Sequence, residues 1–547
     1  MPASICGASS RPDRDVSTTG RHRVGASFYR RRWRDCQSNT AALADLSLEG
    51  RDALSGQRRP DLAVSPDDAV DTVEDIAGGW RVALASGRAL TLTQDRLFAW
   101  RQPDVWAVHQ RPWQAAEARD FPVHDYTAFL SNDDTRRQAL WQLAAYGFVR
   151  LTGAPTMPGE IETVVSAFGI VRETNYGRIF DVRTKVDAAN LADTALALAP
   201  HTDNPYRLSP PDIQILHCLQ SAGSGGQSLL VDGLAAVNDL TGDDRHRLSG
   251  EAVRFAWSDG ATHLETTEPV ISLKADGTLD RIRYNPRSMQ ATISESPAWR
   301  AALTRFGERL AEREACLTFD MAPGDMVLMD NRRILHGRTG FDASGDVARH
   351  LQGAYADMDG VYSTLHRLTE ARIDEAIDVV EARFADAALS ETYGEDISIR
   401  DHMLQTAEDA TTRGKGAELV AAALLHDIGW GLGGAHEDTA AAIVAPVLGP
   451  RVASLIGNHV AAKRYLVATR PDYVAQVSQA SLLTLAQQGG PMSEAECRAF
   501  ETQPDFELCL ELRFSDEAGK AMAAPASRFA DYRPLLKSLA IAHALAG

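Results

Sequence analysis

Cysteine, lysine and long apolar runs are all sparse in this 547-residue chain. No stretch approaches the roughly 20 unbroken apolar residues that a membrane helix requires, so no membrane partner is expected. The 6 cysteines are scattered without framework spacing, which predicts reduced thiols, a cytoplasmic location and no disulfide scaffold. A net charge of −18 excludes nucleic acid as a partner, because phosphate backbones need a basic face. The sequence leaves homo-oligomer formation open.

The texture of the chain predicts four segments. Residues 1–24 are rich in Arg and Ser with no apolar core after them, which predicts a disordered tail, or a transit peptide, and not a secretory signal. Residues 25–115 alternate short apolar runs with turn residues and predict a small β-rich N-terminal domain. Short β runs between Gly and Pro turns predict a jelly roll over residues 116–368. Helical periodicity without strand signals predicts an all-α domain over residues 369–547.

A first metal site is indicated by His201 and Asp203. Alternate residues of a strand point to the same side, so this pair would offer two ligands from one strand, and His336 would supply the third. Three protein ligands on one face leave positions open, which is the arrangement of mononuclear iron(II) oxygenases. An isolated His-x-Asp tripeptide is weak evidence, and its surroundings decide.

Four segments surround or accompany these residues: His201-Thr-Asp-Asn-Pro-Tyr-Arg207, Gly225-Gly-Gln-Ser228, Asp330-Asn-Arg-Arg-Ile-Leu-His336-Gly-Arg and Arg349-His-Leu-Gln-Gly-Ala-Tyr355. With them, nearly all of residues 25–368 resembles the gamma-butyrobetaine hydroxylase branch of the Fe(II)/2-oxoglutarate dioxygenases. The resemblance implies a double-stranded β-helix (the jelly roll) that uses Fe(II), 2-oxoglutarate and O2. It also implies that Arg349 binds the distal carboxylate of 2-oxoglutarate as a bidentate pair, assisted by Ser228.

The same resemblance implies an aromatic cage for a quaternary ammonium group, held by cation–π attraction. The cage positions fall on Tyr176, Phe180 and Tyr355, with Asn190 and Asn285 as polar partners. The resemblance therefore implies a small-molecule substrate that carries a methylated amine.

Two departures from the family pattern, and the residue Arg287, bear on the substrate and on a structural metal. Asp193 replaces one family aromatic, and its carboxylate could pair with the cation or accept bonds from a less methylated amine. Arg287 could face the acidic end of a substrate, with a structural salt bridge as the alternative. Relatives often carry a Cys-rich zinc site after a segment like Trp33-Arg-Asp-Cys36; here the later cysteines are missing, so no structural zinc is expected.

A second metal site is indicated in the all-α segment by the dipeptide His426-Asp427. Such a pair is typical of the HD superfamily, in which the aspartate bridges two metals. Further ligands make the pattern specific, since six residues give the capacity for two octahedral metals. The set is His402, His426, Asp427, His436, His459 and Asp516.

The same segment contains Tyr393-Gly-Glu395, Lys463 one turn after His459, Ser481, and Arg513-Phe-Ser-Asp516. With these residues, about residues 369–547 resemble the HD-domain mixed-valence diiron oxygenases that cleave carbon–phosphorus bonds of 1-hydroxyphosphonates. The resemblance implies an Fe(II)/Fe(III) pair, with Tyr393 and Glu395 as a lid and the glutamate facing the ammonium end of the substrate. Tyr393 stands one residue nearer to the glutamate than in those enzymes. It also implies that a group of three residues grips the phosphonate: Lys463, Ser481 and Arg513.

Together the two halves predict a natural fusion that degrades a quaternary-ammonium or amino phosphonate in two steps. The first would hydroxylate C1 of a 2-(trimethylamino)ethylphosphonate-like substrate. The second would cleave the C–P bond of the product to give phosphate and glycine betaine, or a less methylated glycine. The alternative is a gamma-butyrobetaine-type hydroxylase fused to an HD phosphohydrolase.

Overall fold

The computed structural model describes residues 40–59, 64–65, 68–76, 79–93, 96, 107–183, 194–221, 225–290, 296–341, 349–392, 396–475 and 477–546. Several predicted features lie outside the described residues: the tail 1–24, the segment 33–36, Asn190, Asp193, Tyr393 and Glu395. The chain divides into two compact units, residues 106–372 with 544–547 and residues 1–105 with 373–543. The predicted boundary between residues 368 and 369 falls inside a continuous helix, Met358–Phe384.

The N-terminal region is rich in β structure, as predicted. A helix, Thr40–Leu46, is followed by an antiparallel sheet of order β1-β2-β3, with β1 Val70–Ile76, β2 Gly79–Leu84 and β3 Ala89–Thr93. Apolar residues alternate along β2 and β3 and are buried on one face, as a half-exposed sheet requires. They pack against Leu43 of the helix.

The central segment contains two larger sheets, of order β4-β5-β16-β8-β18-β6 and β15-β9-β17-β7. Smaller sheets have the orders β11-β10-β14 and β12-β13. This is the predicted double-stranded β-helix. The strands are β4 Val123–Asp125, β5 Phe148–Thr152, β6 Ile179–Arg183, β7 Leu198–His201, β8 Ile213–Gln220, β9 Ser228–Asp232, β10 Ala252–Ser258, β11 His263–Pro269, β12 Ile271–Leu273, β13 Leu279–Ile282, β14 Met289–Gln290, β15 Cys316–Phe319, β16 Met326–Asp330, β17 Ile334–Arg338 and β18 His350–Ala356.

Burial explains the central position of β8 and β16. Strand β16 is buried at every residue, and most of β8 is buried as well, which is typical of strands covered on both faces. The register of β17 against β7 brings two predicted metal ligands together, because His336 lies directly opposite His201. The helices of this segment are Ala115–Ala118, Tyr126–Ser131, Asp133–Tyr146, Glu160–Ser166, Gly233–Asn238, Gly242–Gly250 and Pro297–Ala311.

A buried ion pair fixes β9 to the start of β17. Arg333 donates from Nε to Asp232 Oδ1 at 2.7 Å and from Nη2 to Oδ2 at 2.8 Å, and both side chains are almost fully buried. The remaining lone pairs of Asp232 accept from the backbone of Trp113 and Leu234. With its hydrogen bonds completed by backbone groups, the pair avoids most of the penalty of burying charge.

Removing one member of this pair should destabilise the domain strongly. We expect Asp232→Ala to lower the free energy of unfolding by about 3–5 kcal/mol, because it leaves the guanidinium of Arg333 buried without a counter-ion. The matched control is Asp239→Ala, which breaks the more exposed pair with Arg309 and should cost less than about 1 kcal/mol. Urea unfolding followed by tryptophan fluorescence measures both, and equal losses in the two variants would contradict the expectation.

The C-terminal segment consists of helices, as predicted. Helix Ala417–Leu425 is at its centre, with every residue from Leu419 to Leu425 buried. Among the described residues, no helix has the length and apolarity needed to cross a membrane. The helices are Ile399–Thr412, Ala417–Leu425, His436–Leu448, Pro450–Gly457, His459–Thr469, Pro471–Val474, Gln479–Gln487, Glu494–Glu501, Phe506–Ala518 and Phe529–Ala546, with a 3-10 turn at Ala387–Ser390.

Candidate metal centres

The first predicted triad comes together in the jelly roll. The ligand atoms of His201, Asp203 and His336 all lie within 4.8 Å of one another. Asp203 Oδ1 is 3.5 Å from Nε2 of His201 and 3.8 Å from Nε2 of His336. One detail differs from the prediction, because β7 ends at His201 and does not extend to Asp203. The backbone of Asp203 is held instead by Asn331, whose side-chain amide bonds to its N–H at 2.7 Å and to its carbonyl at 3.1 Å.

The protonation of this triad suits a metal cation. His201 donates from Nδ1 to the carbonyl of Ala199 at 2.9 Å, which leaves the lone pair on Nε2 facing the other ligands. Burial lowers the pKa of His336 to about 3, so its imidazole is neutral. Burial opposes ionisation of Asp203, but the imidazoles of His336 and His201 outweigh it and hold the pKa of that carboxyl below its usual range. Neutral imidazoles and an ionised carboxylate are the forms that bind a divalent metal.

The second oxygen of Asp203 is fixed by two neighbours. Oδ2 accepts from the hydroxyl of Tyr355 at 2.8 Å and from Nε2 of Gln214 at 2.7 Å. With Oδ2 occupied, Oδ1 is directed at the histidines. Tyr355, predicted as a cage residue, therefore also orients a metal ligand, and Gln214 is a contributor that the sequence did not indicate.

A cavity of about 830 Å³ opens beside the triad and includes both residues predicted to bind 2-oxoglutarate. Arg349, just before β18, is 7% exposed, and its guanidinium lies 5.9 Å from the ring of Phe341. The described residues provide no hydrogen bond or ion pair to it. Ser228, at the start of β9, is buried and lines the same cavity. A buried guanidinium without a counter-ion can take a carboxylate as a bidentate pair.

One side of this cavity is a continuous group of aromatic rings, which we call the aromatic wall. Its predicted members are in contact, with ring centroids 5.9 Å apart for Tyr176 and Phe180 and 5.1 Å apart for Phe180 and Tyr355. Two members were missed. Trp257 of β10 lies 5.6 Å from Tyr176 and stacks on Tyr206 at 5.7 Å. Trp257 is distant in sequence from the other four, so no local pattern could have found it.

Polar residues complete the cavity. Asn285 donates from Nδ2 to the carbonyl of Thr202 at 3.3 Å. Its Oδ1 accepts from both the backbone N–H and Nε of Arg287, each at 3.2 Å. Both side chains line the cavity. Asn285 thus holds Arg287 in position, and whether either contacts a substrate stays a prediction.

The second predicted ligand set forms two adjacent clusters in the helical segment. Within each cluster all ligand atoms lie within 4.8 Å of one another, and the members are His402, His426 and Asp516 in one and Asp427, His436 and His459 in the other. Asp427 reaches both clusters. Its Oδ2 lies 3.5 Å from Nε2 of His426, and its Oδ1 lies 3.2 Å from Nε2 of His436. This is the position of a bridging carboxylate.

Helix ends bring these ligands together. His426 follows the last turn of the buried helix Ala417–Leu425, with Asp427 directly after it. His436 and His459 are each the first residue of a helix. Asp516 lies in Phe506–Ala518, next to the helix that carries His402.

The tautomers of the histidines show that the clusters fit metal ions. His402, His426 and His459 donate from Nδ1 to backbone carbonyls of Gly519, Ala423 and Ile456 at 2.7–2.9 Å. A carbonyl only accepts, so in its neutral form each of these rings carries on Nε2 a lone pair that faces the cluster. The Nε2 atoms of His402 and His426 are 3.2 Å apart, and so are those of His436 and His459. Two bare lone pairs at this distance repel, so each pair of nitrogens has to share a proton or a metal ion.

Charges in the clusters agree with this assignment. Burial opposes ionisation of Asp427, but the surrounding histidines, with His426 first, hold its pKa well below the usual range. Burial lowers the pKa of His459 to about 3. For His402, burial acts against protonation, but the hydrogen bond that its Nε2 donates to Asp516 Oδ1 at 3.2 Å raises its pKa. Asp516 and Asp427 therefore favour positive charge at the clusters, and the same carboxylates would favour metal cations.

A small cavity of about 90 Å³ borders both clusters and includes the three residues predicted to grip an anion. Lys463 is 5% exposed and donates to Thr484 Oγ1 at 3.1 Å. Burial, followed by the charge of Arg513, lowers the pKa of Lys463 to about 8. Ser481 and Arg513 line the cavity as well. Thr484 is a member that the sequence did not indicate.

The guanidinium of Arg513, predicted to bind the phosphonate, makes several hydrogen bonds within the protein. It donates to Asp516, to Glu517 and, at 2.6 Å, to the hydroxyl of Tyr473. A longer contact of 3.4 Å joins it to Ser481 Oγ. Through these bonds Arg513 orients the metal-ligand candidate Asp516, and its direct contact with a phosphonate stays a prediction.

Comparison with known proteins identifies both halves. Residues 109–355 match the taurine catabolism dioxygenase TauD, TfdA family, and residues 399–485 match the HD domain. The gamma-butyrobetaine dioxygenase of Pseudomonas sp. (strain AK-1) is 36% identical over 264 residues, which cover 47% of this chain and 68% of that protein. This chain belongs to the TauD, TfdA dioxygenase family.

Two other relatives cover a similar share of the chain. Human gamma-butyrobetaine dioxygenase is 35% identical over 265 residues, covering 46% of this chain and 68% of the relative. Mitochondrial trimethyllysine dioxygenase from Rattus norvegicus is 29% identical over 267 residues, covering 46% of this chain and 62% of the relative. The protein is therefore an Fe(II)/2-oxoglutarate-dependent oxygenase of the TauD, TfdA family fused to an HD domain. His201, Asp203 and His336 form a group that could hold a metal ion.

Proposed function

We propose that this protein degrades a phosphonate in two consecutive oxidations. In the first, the TauD, TfdA domain converts the C1–H bond of a 2-(trimethylamino)ethylphosphonate-like substrate to C–OH. One atom of O2 enters the hydroxyl group and the other enters succinate, while 2-oxoglutarate loses CO2 and supplies two electrons. In the second, the HD domain converts the 1-hydroxyphosphonate and O2 into a carboxylic acid and phosphate, with no further reductant. A trimethylated substrate gives glycine betaine.

Support for a cationic substrate comes from the aromatic wall and from the relatives' names. Gamma-butyrobetaine and trimethyllysine both carry a trimethylammonium group, and a wall of aromatic faces attracts such a group by cation–π interaction. Arg287, held by Asn285 in the same cavity, could pair with the anionic end of the substrate. A phosphonate bears more negative charge than a carboxylate and gains more from a guanidinium.

The observation that carries the proposal is in the HD domain. Lys463 is buried with one hydrogen bond to the described residues, and it shares a cavity with Ser481 and with both metal-ligand clusters. A buried ammonium favours an anion, and the cavity is small enough to hold one compact oxyanion beside the metals. A phosphonate group bound there would present its C1 carbon to the clusters.

Iron ions held by the triad and by the paired clusters would supply activation of O2 at both sites. The chain's own residues supply the rest. Arg349 binds and orients 2-oxoglutarate, Tyr355 and Gln214 hold the carboxylate of Asp203, and Lys463 fixes the anion. Asp427 lies beside His426 and His436, one from each cluster, and its two oxygens would be available to metal ions held there.

A second candidate is a gamma-butyrobetaine-type hydroxylase fused to an HD phosphohydrolase. The identity of 36% with gamma-butyrobetaine dioxygenase favours a carboxylate substrate for the first half. A cavity that combines paired metal ligands with Lys463 would also hold a phosphate ester. The two candidates differ in whether phosphate release needs O2.

Phosphorus NMR separates them. The full chain is loaded with iron without oxygen and then given O2, 2-oxoglutarate and aminoethylphosphonates carrying zero to three N-methyl groups. We expect the phosphonate signal of at least one substrate to pass through a hydroxyphosphonate to inorganic phosphate. Phosphate from a monoester without O2, together with unchanged phosphonate signals, would instead establish the second candidate.

A further inference from the structure

Lys520 occupies the cavity beside the paired clusters, although no sequence pattern pointed to it. The chain has only six lysines, and two of them, Lys463 and Lys520, line this one cavity. Lys520 follows the helix that carries Asp516, and its side chain is 13% exposed. Lysine is almost never buried to this extent without partners. The position of this side chain therefore needs an explanation.

The ammonium of Lys520 is fully engaged by neighbouring oxygens. It donates to Ser481 Oγ at 2.6 Å, to Ser478 Oγ at 3.2 Å and to Glu517 Oε1 at 3.1 Å. An ammonium has three donors, and all three are accounted for. Lys520 is thus placed to act on a ligand through its neighbours and not by direct contact.

The neighbour that matters is Ser481. Its Oγ accepts from Lys520 at 2.6 Å and, more weakly, from Arg513 at 3.4 Å. A hydroxyl oxygen has two lone pairs and one hydrogen, so both acceptor positions are filled and only the hydrogen is free. The described residues offer that hydrogen no acceptor. Because Ser481 lines the cavity, the hydrogen is left for a ligand.

Thr484, one helical turn further, has the opposite arrangement. Its hydroxyl donates to the backbone carbonyl of Ser481 at 3.0 Å and accepts from Lys463 at 3.1 Å. The hydrogen of Thr484 is thus used within the helix, and its oxygen orients the ammonium of Lys463. Two donors of Lys463 remain for the cavity.

We propose that Lys520 is a positioning residue that fixes the hydroxyl of Ser481 as a donor and so makes this anion subsite selective for groups that only accept hydrogen bonds. With Lys463 it defines a site that matches a fully ionised phosphonate or phosphate. A group that still carries a proton would place its own O–H against donors and bind less well. The substrate named here rests on the proposed function, but the subsite can be tested without turnover.

A double-mutant cycle with inorganic phosphate as the probe tests the inference. The metal-loaded full chain is titrated with phosphate calorimetrically, without O2, for the wild type, Lys520→Met, Ser481→Ala and the double variant. We expect Lys520→Met to weaken phosphate binding about tenfold, the order of one charge-assisted hydrogen bond. In the Ser481→Ala background the same substitution should have less than about a threefold effect, because the group it acts through is gone.

Controls separate positioning from general damage. Lys537→Met removes a lysine outside this cavity, whose ammonium pairs with Asp374, and should leave phosphate binding unchanged. Iron content and circular dichroism of each variant confirm folding and metal loading. Lys520→Arg, which keeps a charged donor, should recover most of the affinity.

Several results would overturn the inference. These are wild-type affinity in Lys520→Met, equal effects of that substitution with and without Ser481, and absence of phosphate binding by the wild type. None of them depends on C–P cleavage. If no phosphonate is cleaved but the cycle is non-additive, the proposed function fails while the role of Lys520 stands.

Discussion

Replacing Asp427 with asparagine is expected to stop phosphate release while 2-oxoglutarate consumption continues. Asp427 presents one oxygen to each cluster, and asparagine keeps the shape but loses the charge and one of the two oxygens. Mutation of a residue that only supports a metal ligand typically lowers activity or metal affinity about 10–100-fold. Loss of a ligand that serves both clusters should therefore lower the rate of phosphate release by at least about 100-fold. The hydroxylated phosphonate should then accumulate.

The measurement is phosphorus NMR of the products together with succinate formation. The matched control is Asp438→Asn, an exposed aspartate two residues after the ligand His436, which should behave as the wild type. Unchanged phosphate release in Asp427→Asn would exclude the paired clusters as the site of the second step.

Replacing His336 with alanine should have the reciprocal effect. The first oxidation requires all three ligands of the triad, and His336 is a buried, neutral imidazole directly opposite His201. We expect hydroxylation and succinate formation to fall by at least about 100-fold, on the same reasoning as for Asp427. When the 1-hydroxyphosphonate is supplied directly, the variant should release phosphate at the wild-type rate.

Two further variants serve as controls, one for a nonspecific effect of removing a histidine and one for loss of the fold. His263→Ala removes an exposed histidine of β11 and should leave both steps unchanged. His336→Gln nearly preserves volume and should retain the fold if alanine does not. Loss of phosphate release from the supplied intermediate in both His336 variants, with the fold intact, would show that the two sites are not separable steps.

Much of the fold could be predicted because local patterns and tertiary structure agree. The strands Ala89–Thr93 and Ser228–Asp232 form in the segments predicted to be β-rich, and the helix Ala417–Leu425 forms in the segment predicted to be all-α. In each, alternation or an unbroken apolar run matches the burial of the element. The change from strands to helices along the chain was equally visible.

The predicted boundary between residues 368 and 369 is an example of a feature that local patterns do not locate. Composition changes there, but the backbone does not break, because Met358–Phe384 is one helix. Its residues keep a helical repeat throughout, so neither a capping residue nor a glycine marks the transition from one unit to the next. The composition of the sequence changes with the surroundings of a helix, and it does not show where the helix ends.

The candidate ligands of both centres could be predicted from sequence because they occur in motifs that resemble known families, and the structure brings them together. Residues that act through a ligand have no such spacing. Gln214 lies in β8 of the other large sheet and contacts Asp203, which follows β7. Lys520 follows helix Phe506–Ala518 and contacts Ser481 in helix Gln479–Gln487. Trp257 joins the aromatic wall from a separate sheet. These contacts are set by strand order and helix packing, which a single sequence does not display.

Tyr355 limits how the substrate range of the first site can change. Its ring belongs to the aromatic wall, while its hydroxyl holds Oδ2 of Asp203, a candidate metal ligand. Any mutation that reshapes the wall at this position therefore also removes a hydrogen bond that orients this carboxylate. Phe180 and Trp257 have no such link among the described residues. Adaptation to a new amine, in nature or in directed evolution, is thus expected to proceed through those two rings while the tyrosine stays constant.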